Sequence, residues 1–129
     1  MAQTLKFELV SPERVLVSED VEHVVLPGSE GELGVLAGHA PAVVTLVPGV
    51  IRIISGGSSR KLFVRGGFAE VNPQTLTVLS EHAFDPAASD KSAAAAELAA
   101  AEKRLADASD DDTRFLAQSA IDALRGLGA

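Results

Sequence analysis

The stretch Thr4–Val10, TLKFELV, decides how the first two thirds of the chain fold. Leu5, Phe7 and Leu9 fall on one face, and polar side chains alternate with them on the other. A period of two residues is typical of a β-strand that is buried on one side only. The stretch therefore predicts that the chain begins with a strand whose apolar face needs a second layer to cover it.

Five further segments of this kind follow, rich in Val, Ile, Leu and Thr. They are VEHVVLP (21–27), AVVTLVPG (42–49), VIRII (50–54), RKLFVRG (60–66) and TLTVLS (75–80). Residues that favour turns separate them, at Ser11-Pro12, Pro48-Gly49, Gly56–Ser59, Gly66-Gly67 and Asn72-Pro73. Many short strands at close spacing predict a β-sandwich or a barrel over residues 1–85.

The pattern changes at Asp85-Pro86, where Asp85 is expected to cap a helix and Pro86 to begin it. Residues 86–129 contain no strand-like run, and Asp111 or Asp112 is expected to cap a second helix. The fold class is therefore α+β, a β-sandwich followed by an antiparallel helical hairpin. The predicted seam consists of Ala94, Leu98, Ala101, Leu105, Leu116, Ala120, Leu124 and Leu127. Because alanine buries little apolar surface, we expect the hairpin to dock marginally and to be able to detach or extend.

Composition excludes several classes of function. The net charge of -7 opposes binding to nucleic acid or to an anionic lipid surface. The chain has no cysteine, so disulfides, thiol catalysis and cysteine zinc sites are excluded. We expect no signal peptide and no membrane-spanning segment.

The stretch Pro27–Pro41, PGSEGELGVLAGHAP, looks at first like a glycine-rich phosphate loop. A Walker loop needs a lysine and a hydroxyl after its last glycine, and this stretch has neither. A dinucleotide fingerprint needs a long helix afterwards, whereas residues 40–50 are strand-like. We therefore expect a long loop whose glycines fold the chain back between strands and present side chains to a partner.

No group of residues indicates catalysis or a metal site. His23, His39 and His82 are dispersed, and none of their spacings puts two ligands on one element. His39 is interpreted as a loop histidine satisfied by local hydrogen bonds, with a catalytic role as the alternative. The turn serines lack a G-x-S-x-G elbow. We expect no catalytic residue, no metal and no cofactor.

The chain resembles the ε (epsilon) subunit of bacterial rotary ATP synthases. The resemblance rests on GSEGELGVLAGHAP (28–41), PGVIRI (48–53) and RGGFAEV (65–71), with LKFELVSPERVLVSEDVEHVVLPG before them and TVLSEHA after them. It implies a ten-stranded sandwich that binds the γ subunit and sits on the ring of c subunits, and so couples proton-driven rotation to ATP synthesis on other subunits. It also implies peripheral attachment, through the complex, to the cytoplasmic side of the cell inner membrane.

The resemblance also implies that the loop faces the c ring. The matching positions are Glu32 and His39, with Gly31 and Pro41 in the same partner-binding stretch. From the residues alone, Glu32 is equally well explained as a solvated acid.

The hairpin departs from the family pattern. In many members it extends along γ towards the α and β subunits and inhibits ATP hydrolysis, helped by basic residues that meet acidic residues of the β subunit. Residues 87–129 here carry five basic and eight acidic residues. Some members bind ATP through an I/L-D-x-x-R-A motif, and SDKSAA (89–94) keeps Asp90 but has Ala93 in place of the arginine. We expect weak or absent ATP binding, with Asp90 the one matching residue, and weak inhibition.

Two other readings remain open from the residues. A small β-barrel enzyme or metal-dependent cupin would require clustered histidines. A free-standing regulatory module with a ligand-gated hairpin would require no γ-like partner.

Overall fold

The computed structural model describes residues 3–87 and 91–127. Within them lie eight strands followed by two helices. The strands are β1 (Leu5–Val10), β2 (Val15–Val21), β3 (His23–Gly28), β4 (Gly31–Leu36), β5 (Ala42–Ser55), β6 (Ser58–Val71), β7 (Thr75–Leu79) and β8 (Ala83–Phe84). The helices are α1 (Lys91–Asp107) and α2 (Asp111–Gly126).

The strands form a β-sandwich whose two layers share β5 and β6. The first layer contains β2, β1 and β7, beside the halves of β6 and β5 at 67–71 and 42–46. The second contains β4 and β3, beside the halves of β5 and β6 at 48–55 and 58–65, with β8 at the edge. Side chains of both layers meet in one apolar core, which includes Leu5, Phe7 and Leu9 as the alternation predicted.

The predicted turns at Pro48-Gly49 and Gly66-Gly67 are wrong. Both pairs lie inside 14-residue strands, β5 and β6, which continue from one layer into the other. On β6 the core-facing residues are even-numbered before the glycines (62 and 64) and odd-numbered after them (69 and 71). The glycines therefore mark the corner where the strand changes layer. Counting each half of β5 and β6 separately gives ten segments, in agreement with a sandwich of about ten strands.

The predicted long loop at 27–41 is mostly a β-hairpin. β3 and β4 pair from His23↔Leu36 to Gly28↔Gly31, and only Ser29 and Glu30 separate the two strands. Two of its four glycines have positive φ, Gly31 at 122° and Gly38 at 89°. The expectation that glycines fold the chain back is therefore confirmed at these two positions, because L side chains rarely adopt such backbone angles.

Both predicted helices are present, but their predicted starts are displaced. Asp85 accepts a hydrogen bond from the backbone of Ala87 at 2.9 Å, and Pro86 lies in that turn, whereas α1 begins at Lys91. Asp110, and neither Asp111 nor Asp112, caps α2 by accepting from Thr113 N at 2.7 Å. Asp110, Asp111 and Asp112 are consecutive and chemically identical, so the sequence does not reveal which of them lies at the N-cap.

The hairpin lies on the outer face of the second layer. A second apolar cluster there contains Phe63 from β6 and Ala101, Ala120, Ile121 and Leu124 from the helices. Phe63 also packs on Phe84, with ring centroids 5.3 Å apart. Leu116, which was predicted to line the seam, is instead exposed. How firmly the hairpin is held stays a prediction.

Candidate functional site

The β3–β4 hairpin presents Glu32 at the surface. Gly31 allows the chain to turn just before it, and Arg52 on β5 donates to the Glu32 carboxylate at 3.3 Å. Both side chains are well exposed, so this ion pair contributes little and either group is available to a partner.

His39 lies beyond the opposite end of β4 from Glu32. Its Nδ1 is 2.7 Å from the carbonyl oxygen of Ala40, and its backbone N–H donates to Leu36 O at 3.1 Å. These local hydrogen bonds agree with a satisfied loop histidine. Pro41, also exposed, precedes β5. Glu32 therefore bonds to β5, whereas His39 bonds to the adjacent loop and to the end of β4.

An exposed apolar patch, formed by Val43, Phe68 and Leu79, lies on the outer face of the first layer. Phe68 pairs with Leu79 across β6 and β7, and Val43 is on the same face of β5 as Thr45, the partner of Phe68. Their exposed fractions are 75% for Val43, 55% for Phe68 and 48% for Leu79. A cluster of large apolar side chains on the outside of a sheet is typical of an interaction surface.

A buried carboxylate connects the hairpin to the sandwich. Glu97 of α1 is 4% exposed, and Arg65 of β6 binds it with two hydrogen bonds, Nε to Oε1 at 2.8 Å and Nη2 to Oε2 at 2.7 Å. Arg104 donates to Oε1 at 3.1 Å, and His82 Nε2 lies 3.3 Å from Oε2. We call these four residues the Glu97 cluster.

The charges of the Glu97 cluster keep the carboxylate ionised. Burial by itself raises the pKa of Glu97, but the hydrogen bonds and charges of Arg65 and Arg104 outweigh it. The pKa of Glu97 is therefore lowered from its ordinary value, and the group is a buried anion compensated by two guanidinium groups.

Sequence reasoning missed the Glu97 cluster. Arg65 and Glu97 are 32 positions apart, and His82 was considered only as one of three dispersed histidines. One signal was available: Glu97 precedes Ala101 by four positions, so it lies on the apolar side of α1, where an unpaired acid is costly.

Asp90, the predicted ATP-binding residue, lies outside the described residues. Over 3–87 and 91–127, no three His, Asp or Glu side chains are grouped so that they could hold a metal ion. Within the same ranges, neither helix has the length and apolarity needed to cross a membrane.

Comparison with known proteins places this architecture in a family. Residues 4–86 match the family described as ATP synthase, Delta/Epsilon chain, beta-sandwich domain. The ATP synthase epsilon chain of Parvibaculum lavamentivorans is 51% identical over 128 residues, covering 98% of this chain and 97% of that one. The chain belongs to the ATP synthase epsilon chain family. The family that the sequence resemblance indicated is thereby confirmed. The chain is a non-catalytic subunit.

A further relative and two solved structures are also similar to this chain. The epsilon chain of Rhodospirillum rubrum is 50% identical over 112 residues, covering 86% of this chain and 84% of that one. A chain in the Euglena gracilis mitochondrial ATP synthase structure, which contains OSCP, F1 and the c-ring, superposes with a TM-score of 0.70 at 26% identity. That match covers 97% of this chain and 79% of the other. A chain in the structure of the central stalk and c-ring of the Tetrahymena thermophila mitochondrial ATP synthase shows the same fold, with a TM-score of 0.61 at 14% identity and 98% coverage of both chains.

Proposed function

We propose that the chain is a central-stalk subunit that connects the c ring to the γ subunit, so that proton-driven rotation is coupled to ATP synthesis on other subunits. The observation that carries the proposal is the 51% identity to an epsilon chain over nearly the whole length of both proteins. The shared core of the two layers supports it physically, because a transmission element needs a body that resists deformation.

The γ subunit is proposed to bind the patch of Val43, Phe68 and Leu79. The patch lies on the first layer, while the hairpin covers the outer face of the second, so the two surfaces do not compete. Phe68 and Leu79 also line a groove of about 740 Å³ that continues to Pro12 and His82. Burial of large apolar side chains in such a groove is the main favourable term in most protein–protein contacts.

The c ring is proposed to contact the stretch from Gly31 to Pro41, where Glu32 and His39 provide charge and hydrogen bonds. Since the Glu32–Arg52 pair is exposed, a cationic group of the ring can replace Arg52 at small cost. Residues 1–85 would then be the rotor-binding domain. Residues 86–129 would be a regulatory domain that reaches the α and β subunits only if it extends.

This arrangement makes the chain a peripheral protein held on the cytoplasmic side of the inner membrane through the complex. Support comes from the family assignment and from the c-ring present in the Euglena gracilis structure. No described feature favours the alternative, a free-standing ligand-gated module.

The test is co-purification from detergent-solubilised membranes with a tagged chain. The wild-type chain is expected to bring down γ and c subunits, and Phe68→Asp to reduce γ recovery by about tenfold or more, since a charge placed in an apolar contact is costly. Phe115→Asp is the matched control, because Phe115 is 59% exposed on α2, close to the 55% of Phe68.

Two results would contradict the proposal. If the wild-type chain recovers neither γ nor c, the assembly role is overturned and the free-standing module is favoured. If Phe115→Asp lowers γ recovery as much as Phe68→Asp does, the patch is not the γ contact.

A further inference from the structure

We propose that the Glu97 cluster is a latch: the one buried carboxylate of α1 stabilises the docked helical hairpin on the sandwich, and without it the two helices undock together more often. The latch lies within one chain, so its test does not depend on the proposed function.

The packing of the two helices shows why α1 needs such a latch. α2 packs on β5, whereas α1 packs chiefly on α2. Of the apolar residues of α1 in the shared cluster, Ala101 is buried, whereas Leu98 and Leu105 are only partly buried. The Arg65–Glu97 pair therefore provides a direct polar connection from α1 to β6.

The geometry of Glu97 makes this connection specific. Both carboxylate oxygens accept a hydrogen bond from Arg65, and one of them also accepts from Arg104. Bidentate guanidinium–carboxylate pairs are among the strongest side-chain hydrogen bonds, and they are directional. Arg65 itself is held in place, since its backbone N–H donates to His82 O at 2.9 Å. A small outward movement of α1 therefore breaks both bonds at once.

The hydration that each partner regains on undocking offsets part of the free energy of the docked ion pair. Arg65 and Arg104 are each about one third exposed in the docked state, so they regain hydration easily. Glu97, at 4% exposed, regains nearly all of its hydration on release. A buried ion pair is strongly position-dependent and contributes only modest net stability, which is the behaviour expected of a latch rather than of a permanent contact.

The test compares amide hydrogen exchange in the full chain and its Glu97→Gln variant, resolved separately for the sandwich and for residues 91–127. Glutamine keeps the shape but loses the charge-assisted bonds to Arg65 and Arg104. We expect the opening constant of the hairpin to rise on the order of 10- to 100-fold, with sandwich amides unchanged, from the usual strength of hydrogen bonds to charged groups.

Glu102→Gln is the matched control, since it removes the same charge from the same helix. Glu102 pairs with Arg125 of α2 at 3.7 Å and is 53% exposed, so it connects the helices to each other and not to the sandwich. This variant is expected to leave hairpin exchange within about twofold of the wild-type rate, as exposed pairs do.

A double-mutant cycle with Arg65→Gln separates a latch from a general packing role. If the two residues act through each other, the double variant opens much less than the product of the two single effects predicts. Equal exchange in Glu97→Gln and wild type, a parallel rise across the sandwich, or multiplicative single effects would each overturn the latch. Should Glu97→Gln fail to fold, Arg104→Gln gives the same test with a smaller expected rise.

Discussion

Individual glycines determine where the long strands change layer. Gly67 has φ +123°, and a Cβ there would overlap the carbonyl oxygen of Leu79 on the neighbouring strand. Gly57, in the turn between β5 and β6, has φ +79° but open space around the added atom. Both positions have a positive φ, and of the two only Gly67 would also have a clash.

Gly67→Ala is therefore expected to cost about 3 kcal/mol or more in the free energy of unfolding. Gly57→Ala carries only the strain of a positive φ, about 1–2 kcal/mol. Urea denaturation of both variants measures the difference. Equal losses would show that β6 and β7 separate freely at the corner and that the clash is irrelevant.

At this scale the sequence predicted inward-facing residues well and corners badly. The alternation in TLKFELV identified Leu5, Phe7 and Leu9, all buried, because each strand has a period of two whatever it pairs with. Gly66-Gly67 was misread, since paired glycines permit a positive φ both in a reversal and in a corner. Arg65 and Glu97 were missed for a different reason: their contact forms only after the hairpin folds back.

Among the elements, α2 depends on one polar cap. The backbone and side chain of Thr113 both donate to Asp110. These hydrogen bonds lower the pKa of Asp110, chiefly through the backbone N–H of Thr113, because they favour the ionised carboxylate.

Asp110→Ala is expected to lose protection of the first turn of α2, measured as faster exchange of the Thr113 amide. Since the folded pKa lies below the unfolded one, the contribution of Asp110 is present above its unfolded pKa of about 3.9 and is lost as the pH falls through the lower folded value. Asp110→Asn keeps an acceptor and cannot titrate, so its protection is expected to be high and pH-independent at that position. Protection in Asp110→Ala equal to that of the wild-type chain at pH 7 would contradict the capping role.

The sequence predicted which helices and strands are present better than it predicted where they begin and end. The helical hairpin was predicted from an alanine-rich region without strand-like runs, but its start was placed five residues early. The Asp85 side chain accepts a hydrogen bond within a turn and does not cap the helix. β2 was not predicted, since Ser18, Glu19 and Asp20 interrupt its apolar character at the edge of a layer. β4 was hidden in a glycine-rich stretch, where pairing with β3 overrides low strand propensity.

For the whole molecule, charge distribution bears on regulation. Residues 87–129 carry five basic and eight acidic residues, a net charge of 5 minus 8, or -3. Arg104, Arg114 and Arg125 are each paired with an acid within the docked hairpin, with Glu97, Asp111 and Glu102 respectively. An extended hairpin would therefore approach an acidic partner surface against net repulsion.

Removing residues 87–129 from the assembled ATP synthase is accordingly expected to change the rate of ATP hydrolysis by less than about twofold, since like charge opposes rather than steers an inhibitory contact. The measurement is ATPase activity of purified complexes with the full and the shortened chain, at low ionic strength, where surface charge has its largest effect. The control is a full-length chain in which Asp111, Asp112 and Asp122, all exposed, are replaced by lysine. This reversal makes the segment net positive, and it is expected to create inhibition that salt relieves. Strong activation on deletion of the unmodified hairpin would show that a contact other than net charge holds it against the catalytic subunits.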